Sequence, residues 1–257
     1  MKEITNIKDT ALYYYDMLRD NQDKIIQKLE EHLTFYRFSY KGKFKSQEVI
    51  YDTPTNLLAS AGLVISKIYE DDKYYMVVTK VSYLPKQFKK PSVILFKAEC
   101  TAQDVPNMYP IKLGGVISDS NPSIFTVDLV EVIKIVVPKI QIEVKGDRYD
   151  IASGSGYKAE MRFENVFYKD IKSKVKFNHK NVVFALSAEP KEEKDNREVR
   201  GAVLRYCKEL FPYDETRFEI ARRVLMARMG TKKKISKKEL LEQQKKKEQQ
   251  DKENQQD

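Results

Sequence analysis

The alternation of apolar and charged residues along several segments is the feature that most constrains the fold of this chain. It covers residues 35–44, 93–101, 140–145 and 157–164. Because successive side chains of a β-strand point to opposite faces, each segment predicts a strand with one apolar and one charged face. Two architectures fit such strands. One is a sheet whose charged face meets water, and the other is a barrel whose charged face lines a tunnel.

A hairpin is predicted near the middle of the N-terminal half. Residues 63–69 and 73–81 are rich in β-branched and aromatic residues, and they flank the polar turn Glu70-Asp71-Asp72. Before the hairpin, Asp52-Thr53-Pro54 predicts a turn, and residues 56–61 predict a helical turn that ends near Gly62. A further strand is expected over 182–188, while residues 128–137 fit either a short helix or a strand.

Helices are predicted at both ends of these strands. Apolar residues at three- and four-residue steps indicate helices over 8–33, 197–210 and 216–229. The expected fold class is α+β, an antiparallel closed or nearly closed β-barrel (a tunnel) flanked by helices. The predicted domains are an N-terminal helix packing on the barrel (1–33), the barrel with C-terminal helices (34–229) and a disordered tail (230–257).

Composition limits the setting and the partners. No segment approaches the roughly 18 apolar residues of a membrane helix, and the first ten residues lack an apolar signal core. Cys100 and Cys207 cannot form a disulfide framework, so we expect a cytoplasmic protein. The formal net charge is +9, of which residues 231–257 contribute nine Lys against four Glu and two Asp. This excess favours an anionic partner.

Several common catalytic sites are not supported by the sequence. The two cysteines and the two histidines, His32 and His179, lack zinc-ligand spacing. Residues 153–158 contain two glycines near a lysine, but they lack the Lys-Ser or Lys-Thr pair of a phosphate loop, and a predicted strand follows them where a helix would be needed. They therefore predict a tight turn. The G-x-S-x-G elbow of hydrolases is missing as well. The charged strand faces therefore remain the candidate site.

The charged strand faces suit phosphate chemistry. Positions i and i+2 of a strand share a face, which groups Lys97 with Glu99 and also groups Lys158, Glu160, Arg162 and Glu164. Converging Arg and Lys side chains hold phosphate groups, and carboxylates hold the divalent metal that phosphoryl transfer needs. Cross-strand ion pairs on a solvated face would give the same pattern.

Short patches of the chain resemble the CYTH domain of the triphosphate tunnel metalloenzyme superfamily. Tyr51-Asp52-Thr53-Pro54, Leu57, Ala61-Gly62 and the strand that ends at Lys80 resemble one stretch of that domain. Residues 158–163 resemble its later acidic strand, and residues 216–221 resemble its C-terminal S-K-Y-E-R-A segment. The resemblance covers roughly residues 34–229. It implies an antiparallel barrel whose tunnel binds triphosphate-bearing substrates with a divalent metal.

The chain departs from the family's motifs at several positions. The first-strand motif E-x-E-x-K, expected within residues 34–43, reads Arg37, Ser39 and Lys41 and lacks both glutamates. Ser66 and Lys67 stand where an arginine pair is expected. The candidate anion-binding residues are Arg37, Lys41, Lys67, Lys80, Lys97, Lys158 and Arg162. If the chain is catalytic, Mg²⁺ or Mn²⁺ would be held by Glu99, Glu143, Glu160 and Glu164. No residue is assigned as catalytic.

Three functions follow as hypotheses. The first is a CYTH-like domain that binds a phosphorylated or polyanionic ligand, such as a triphosphate, polyphosphate or nucleotide, with metal-dependent catalysis lost or divergent. The second is an active metal-dependent triphosphatase or cyclase with a rebuilt acidic site. The third is a scaffold or interaction protein that contacts RNA or an acidic protein through its basic tail. No membrane partner is expected.

Overall fold

The structure is a computed structural model that describes residues 1–4, 10–17, 21–80, 93–120, 128–187, 189–213, 217, 219–221 and 223. Its strands are β1 (Lys2–Glu3), β2 (Thr10–Met17), β3 (Tyr36–Asp52), β4 (Leu63–Glu70), β5 (Lys73–Lys80), β6 (Val93–Cys100), β7 (Val137–Ser153), β8 (Lys158–Asp170), β9 (Lys176–Ser187) and β10 (Leu210–Tyr213). Its helices are α1 (Gln22–His32), α2 (Leu57–Ser60), α3 (Pro110–Ser120), α4 (Leu129–Lys134) and α5 (Glu193–Tyr206).

The described strands form one antiparallel ten-stranded sheet. Its order is β1-β6-β5-β4-β3-β7-β8-β9-β2-β10, with β3, β7 and β8 as the long central strands. The two outermost strands, β1 and β10, are not paired with each other, so hydrogen bonds among the described strands do not close the sheet. The expected antiparallel α+β architecture is confirmed, whereas the closed barrel is not established by these bonds.

The strand register divides the sheet into two faces. The face that carries Glu48, Arg162 and Glu164 is called the inner face, and the face that carries Ile65 and Phe163 is called the outer face. Helices cover the outer face at two places. One hydrophobic cluster joins α1 and α5 to the sheet through Ile25, Leu29, Phe163, Phe184, Val199 and Val203. Another joins α2, α3 and α4 to β4–β6 through Leu58, Ile65, Met76, Leu113, Ile117 and Ile133.

A third hydrophobic cluster fills part of the inner face. It includes Ile142, Val144, Val166 and Tyr168, together with Ile220 and Ala221. Residues 217, 219–221 and 223 are helical, within the helix predicted over 216–229. Because Ile220 and Ala221 are buried against the strands, this helical segment occupies one part of the inner face. The polar residues of the inner face are thereby confined to the remaining part.

The segment predicted as one helix over 8–33 is a strand followed by a helix. The prediction is wrong for β2 (Thr10–Met17) and confirmed for α1 (Gln22–His32). The buried side chains of Tyr15 and Met17 alternate with Tyr14 and Asp16, which is a period of two. Strand β2 pairs with β9 on one edge and with β10 on the other. This pairing and the strand preference of tyrosine outweigh the helical spacing of the apolar residues.

Other predicted elements are present with shifted ends. Helix α5 begins at Glu193 and ends at Tyr206, so residues 207–209 of the predicted 197–210 helix instead connect α5 to β10, which begins at Leu210. Residues 128–137 form α4 and the first residue of β7. Pro138 continues β7 and pairs with Tyr51 beside a register shift, where a residue without an N–H is tolerated. Residues 230–257 lie outside the described residues.

The predicted hairpin of β4 and β5 is confirmed. The strands pair from Leu63 with Lys80 to Glu70 with Lys73. Asp71 and Asp72 form the turn with φ values of 49° and 61°, which is the left-handed region that a tight hairpin turn requires. The two aspartates adopt this region more readily than most residues, and this explains their place in the turn.

The Asp52-Thr53-Pro54 turn is held by the buried side chain of Asp52. Its carboxylate accepts hydrogen bonds from the backbone N–H groups of Leu58 at 2.9 Å and Ala59 at 3.0 Å. It also accepts a bond from the N–H of Thr53 at 2.7 Å. Asp52 is 1% exposed, so these donors have little access to water. The motif that carried the family resemblance therefore has a structural role in joining β3 to α2.

We expect Asp52→Ala to lower the free energy of unfolding by about 2–4 kcal/mol, because buried N–H groups of α2 lose their acceptor. Urea denaturation measures this change. The matched control is Asp128→Ala, which removes an exposed cap that accepts from Val130 N. The control is expected to cost about 1 kcal/mol. Equal losses in the two variants would contradict a special role for Asp52.

Candidate functional site

Polar residues of the inner face form two neighbouring groups. The arginine cluster consists of Arg148, Arg162, Glu70 and Glu160, and the central cluster consists of Glu48, Glu164, Asn181 and Arg217. Strand β8 connects them, because Glu160, Arg162 and Glu164 occupy alternate positions on one face of that strand. The two clusters together make up the candidate site.

In the arginine cluster, two guanidinium groups share two carboxylates. Arg148 and Arg162 are directly opposite each other on β7 and β8. Arg148 Nη2 lies 3.5 Å from Glu70 Oε1, and Arg148 Nε lies 3.5 Å from Glu160 Oε2. Arg162 contacts the same two glutamates, with Nη1 at 3.7 Å from Glu70 and Nε bonded to Glu160. Both guanidinium groups lie over the ring of Phe44, at 5.1 and 5.8 Å from its centre.

The arginine cluster is accessible from a groove at the β4–β5 turn. The groove has a volume of about 560 Å³ and is lined by basic and acidic side chains, among them Lys41, Lys43, Lys45, Asp71, Asp72 and Arg148. Asp71 also contacts Arg148, at 3.6 Å. The Arg148 and Arg162 side chains are 21% and 20% exposed. They are therefore partly withdrawn from water and still reachable by a ligand.

The central cluster contains a buried ion pair. Arg217 Nη2 lies 2.6 Å from each carboxylate oxygen of Glu164, whose side chain has no exposed surface. Asn181 Nδ2 donates a third bond to Glu164 at 3.3 Å. Opposite Glu164 on β7 stands Gly146, where an added Cβ would lie 1.8 Å from the Phe163 carbonyl oxygen. The close approach of the strands beside Glu164 therefore requires a glycine.

Burial changes the pKa values of ionisable groups around this ion pair. Burial raises the pKa of the Glu48 carboxyl above its ordinary value, although the charge of Arg217 and a hydrogen bond with Ser66 oppose the shift. Burial likewise raises the pKa values of the Tyr14 and Tyr168 hydroxyls, again against the effect of Arg217. Both tyrosines therefore remain protonated at neutral pH and can act as hydrogen-bond donors.

Several buried polar atoms of the inner face have no hydrogen-bond partner among the described residues. These atoms are Arg148 Nε, Arg217 Nε, the Tyr168 hydroxyl and Asn181 Oδ1. A buried polar group without a partner costs about 1–3 kcal/mol, and native proteins contain few of them. Three of these four atoms can donate hydrogen bonds, so they are available to the acceptor atoms of a ligand.

The structure brings some of the predicted site residues together. Glu160 and Arg162 are in the arginine cluster, and Glu164 is in the central cluster. Lys97 and Glu99 are also on the inner face, farther away on β6, where Lys97 Nζ lies 4.3 Å from the centre of the Tyr75 ring. Glu99 faces Lys73 at 3.4 Å.

The remaining predicted residues are outside the two clusters, some on the outer side of the sheet and others beside the arginine cluster. Lys67 is on the outer side and donates to the carbonyl oxygen of Asp104 at 2.8 Å, and Lys80 pairs with Leu63 of the outer-face cluster. Glu143 is on the outer face between Lys45 and Lys145. At the N-terminal end of β3, Arg37 and Lys158 both pair with Ala152 and therefore share the inner face with Glu160. Lys41 contacts Asp150 at 2.9 Å and lines the groove beside Arg148.

Sequence reasoning missed five residues of the site: Glu48, Glu70, Arg148, Asn181 and Arg217. Glu48 and Arg148 belong to the parts of β3 and β7 that extend beyond the predicted strands. Glu70 was assigned to the hairpin turn and is the last residue of β4. For Arg217 a sequence indication existed, because it is within the segment that resembles the family's C-terminal motif.

The described residues do not fit the metal site of a triphosphatase. They contain no group of three or more His, Cys, Asp or Glu side chains placed to hold a metal ion. Glu70 and Glu160 are each shared by two guanidinium groups, and Glu164 is bound by Arg217. Positive charges beside these carboxylates disfavour a divalent cation.

Comparison with solved structures identifies the fold. HpAC1 of Hippeastrum, described as a candidate adenylyl cyclase with a dominant triphosphatase activity, matches with a TM-score of 0.51 and 14% identity, over 83% of this chain and 95% of that chain. A candidate adenylate cyclase from Bacillus halodurans has a TM-score of 0.45, 8% identity and coverage of 85% and 98%. No family model matches the sequence, and no curated protein does. The chain shares the fold of HpAC1, in agreement with the fold expected from the resemblance.

Removal of one partner of the buried ion pair should be costly. We expect Arg217→Met to lower the free energy of unfolding by about 3–5 kcal/mol, because it leaves the Glu164 charge buried without a counter-charge. The double variant Glu164→Leu/Arg217→Met should lose much less. Urea denaturation measures both. Arg197→Met, in an exposed pair with Glu193, is the control and should change stability by less than about 1 kcal/mol. A double variant no better than Arg217→Met would contradict the charge argument.

Glu48 should make stability depend on pH in a defined direction. Since its folded-state pKa is raised, Glu48 contributes stability that is present below its unfolded pKa and lost as pH rises through the folded pKa. Glutamine does not titrate, so the free energy of unfolding of Glu48→Gln relative to the parent should increase with rising pH. Urea titrations across the acid-to-neutral range test this, with the exposed Glu31→Gln on α1 as control. A relative stability that falls with rising pH would exclude the proposed sign.

Proposed function

We propose that the inner face binds a phosphorylated or polyanionic ligand, such as a triphosphate, and that metal-dependent hydrolysis is lost or divergent. The observation that carries this proposal is the arginine cluster together with the unused donors beside it. Arg148 and Arg162 are paired across two strands and are partly buried, and Arg148 lines the groove. Among the described residues, Arg217 Nε is a buried N–H group without a hydrogen-bond acceptor, and Arg148 Nε has only an ion-pair contact with Glu160 at 3.5 Å that does not form a hydrogen bond.

Phosphate chemistry matches this arrangement of donors. A guanidinium group presents its N–H donors as a planar fork that fits two phosphate oxygens, and the pair can serve neighbouring phosphates. Partial burial strengthens each such contact relative to bulk water. Glu70 and Glu160 hold the two forks side by side, and an incoming phosphate can replace their oxygens as acceptor.

The fold supports the same class of ligand. HpAC1, the structural neighbour with the same fold, is described by its triphosphatase activity. The loss of hydrolysis is proposed because each carboxylate of the two clusters is engaged by a guanidinium or is the desolvated Glu48, and because no three acidic groups of the described residues are placed to hold a metal. The alternative active enzyme would need Glu143, which is on the outer face, to join Glu99, Glu160 and Glu164.

In the described residues no helix has the length and apolarity to cross a membrane.

Isothermal titration calorimetry with sodium tripolyphosphate tests the binding. Arg148→Gln/Arg162→Gln should bind at least about tenfold more weakly than the parent, because charged hydrogen bonds contribute about 1.5–3 kcal/mol each. The control is Arg197→Gln/Arg205→Gln on the exposed side of α5, which removes the same charge and should bind as the parent does. Far-ultraviolet circular dichroism confirms that both variants are folded.

The outcomes separate the two parts of the proposal. Absence of binding heat with the parent protein would overturn ligand binding on the inner face. Release of phosphate from tripolyphosphate that requires Mg²⁺ or Mn²⁺ and is abolished by Glu160→Gln would overturn the loss of hydrolysis. Equal weakening by the α5 control would show that the effect depends on overall charge.

A further inference from the structure

The outer face of the sheet carries a band of lysines between its two helix-covered parts. We call this band the basic strip and define it as Lys43 and Lys45 on β3, Lys145 on β7, Phe167 and Lys169 on β8, and Lys176 on β9. The register places these residues on one face, since Lys45 pairs with Lys145 and Lys169 pairs with Lys176. None of them belongs to the three hydrophobic clusters. The strip is therefore surface and not core.

The charges of the strip are unbalanced. It holds five lysines, and the described carboxylates among them on the same face are Glu143 and Asp147, so the described part of the strip has an excess of three positive charges. Lys45 and Lys145 both contact Glu143, at 3.4 and 2.8 Å, yet their side chains are 53% and 55% exposed. One carboxylate shared by two exposed lysines leaves a net positive surface.

An exposed aromatic ring is in the middle of this surface. Phe167 is 39% exposed, and Lys145 Nζ lies 5.9 Å from the centre of its ring. A groove of about 520 Å³ runs beside the ring and is lined by Gln141, Glu143, Lys145, Lys169 and Asn178, among others. The groove thus combines a stacking surface, ammonium groups and side-chain amides that both donate and accept hydrogen bonds.

We propose that the basic strip binds single-stranded nucleic acid, with the phosphate backbone along the lysines and one base stacked on Phe167. Lysines alone would suit any anion, but an exposed ring beside amides favours unpaired bases, which stack on aromatic side chains and hydrogen-bond through their edges. Paired bases in a duplex do not present their faces. The four strands span about 14 Å at a strand spacing of about 4.8 Å, which is enough for several nucleotides. This site is on the opposite face from Arg148 and Arg162, and the two surfaces meet where Lys43 and Lys45 line the groove beside Arg148.

Fluorescence anisotropy with a labelled oligouridylate of about 20 nucleotides and a 5′-hydroxyl end tests the proposal on the full-length chain. We expect Lys45→Gln/Lys145→Gln to bind about tenfold more weakly and to reduce the slope of log affinity against log salt by about 1.4, which corresponds to two lost phosphate contacts. Phe167→Ala should bind about tenfold more weakly with an unchanged slope. Glu143→Gln should bind more tightly, because it removes a negative charge from the strip.

The matched control is Lys191→Gln/Lys194→Gln, which removes two exposed lysines near the start of α5 and should bind as the parent does. Unchanged binding by the Lys45/Lys145 variant would overturn the proposal and assign any RNA binding to other lysines of the chain. Equal affinity for an acidic peptide, with no effect of Phe167→Ala, would overturn the choice of nucleic acid. Arg148→Gln/Arg162→Gln should leave oligouridylate binding unchanged, which separates this result from the tripolyphosphate experiment.

Discussion

The buried ion pair between Glu164 and Arg217 is the interaction on which the rest of the inner face depends. It joins the middle of β8 to a helical segment 53 residues later in the chain. With Arg217 fixed, Ile220 and Ala221 are buried among the apolar residues of the inner face and fill that part of it. A charge pair with no exposed carboxylate surface is tolerated only because three hydrogen bonds satisfy Glu164. The ion pair thus fixes which part of the sheet is packed and which part stays polar.

Charge balance then determines what the polar part can bind. In the arginine cluster, two guanidinium groups and two carboxylates compensate each other, so the inner face is neither strongly basic nor acidic. A divalent cation could bind only if the carboxylates left their guanidinium partners, and the two guanidinium groups would then repel the metal ion. An anion replaces carboxylate oxygens by phosphate oxygens and keeps the guanidinium groups satisfied. The same residues therefore favour an anion over a metal.

The sequence predicted most of the sheet because alternation is a local property. The hairpin of β4 and β5 and the strands with clear alternation were predictable, as were Glu160, Arg162 and Glu164 on one strand face. β2 was missed because its apolar spacing fits both periods, and only its pairing with β9 and β10 selects the strand. Arg148 was missed because β7 continues past its apolar alternation through Gly146. Glu48 could not be recognised, since its role depends on its proximity to Arg217, which local sequence does not encode.

The two faces of the sheet differ in the kind of positive charge that they carry. The candidate anion-binding residues of the inner face are arginines, which contact carboxylates and the Phe44 ring, whereas those of the outer strip are lysines with flexible side chains. Arginine forks are preorganised for a ligand with defined oxygen positions, and lysines act as point charges that tolerate a variable backbone path. Partial burial protects the inner contacts from salt, while the exposed outer contacts are screened within about 10 Å at moderate ionic strength. Salt dependence therefore separates the two surfaces: phosphate bound by the arginines should be displaced by salt much less than a strand held by the lysines, because only the latter site relies on exposed charges.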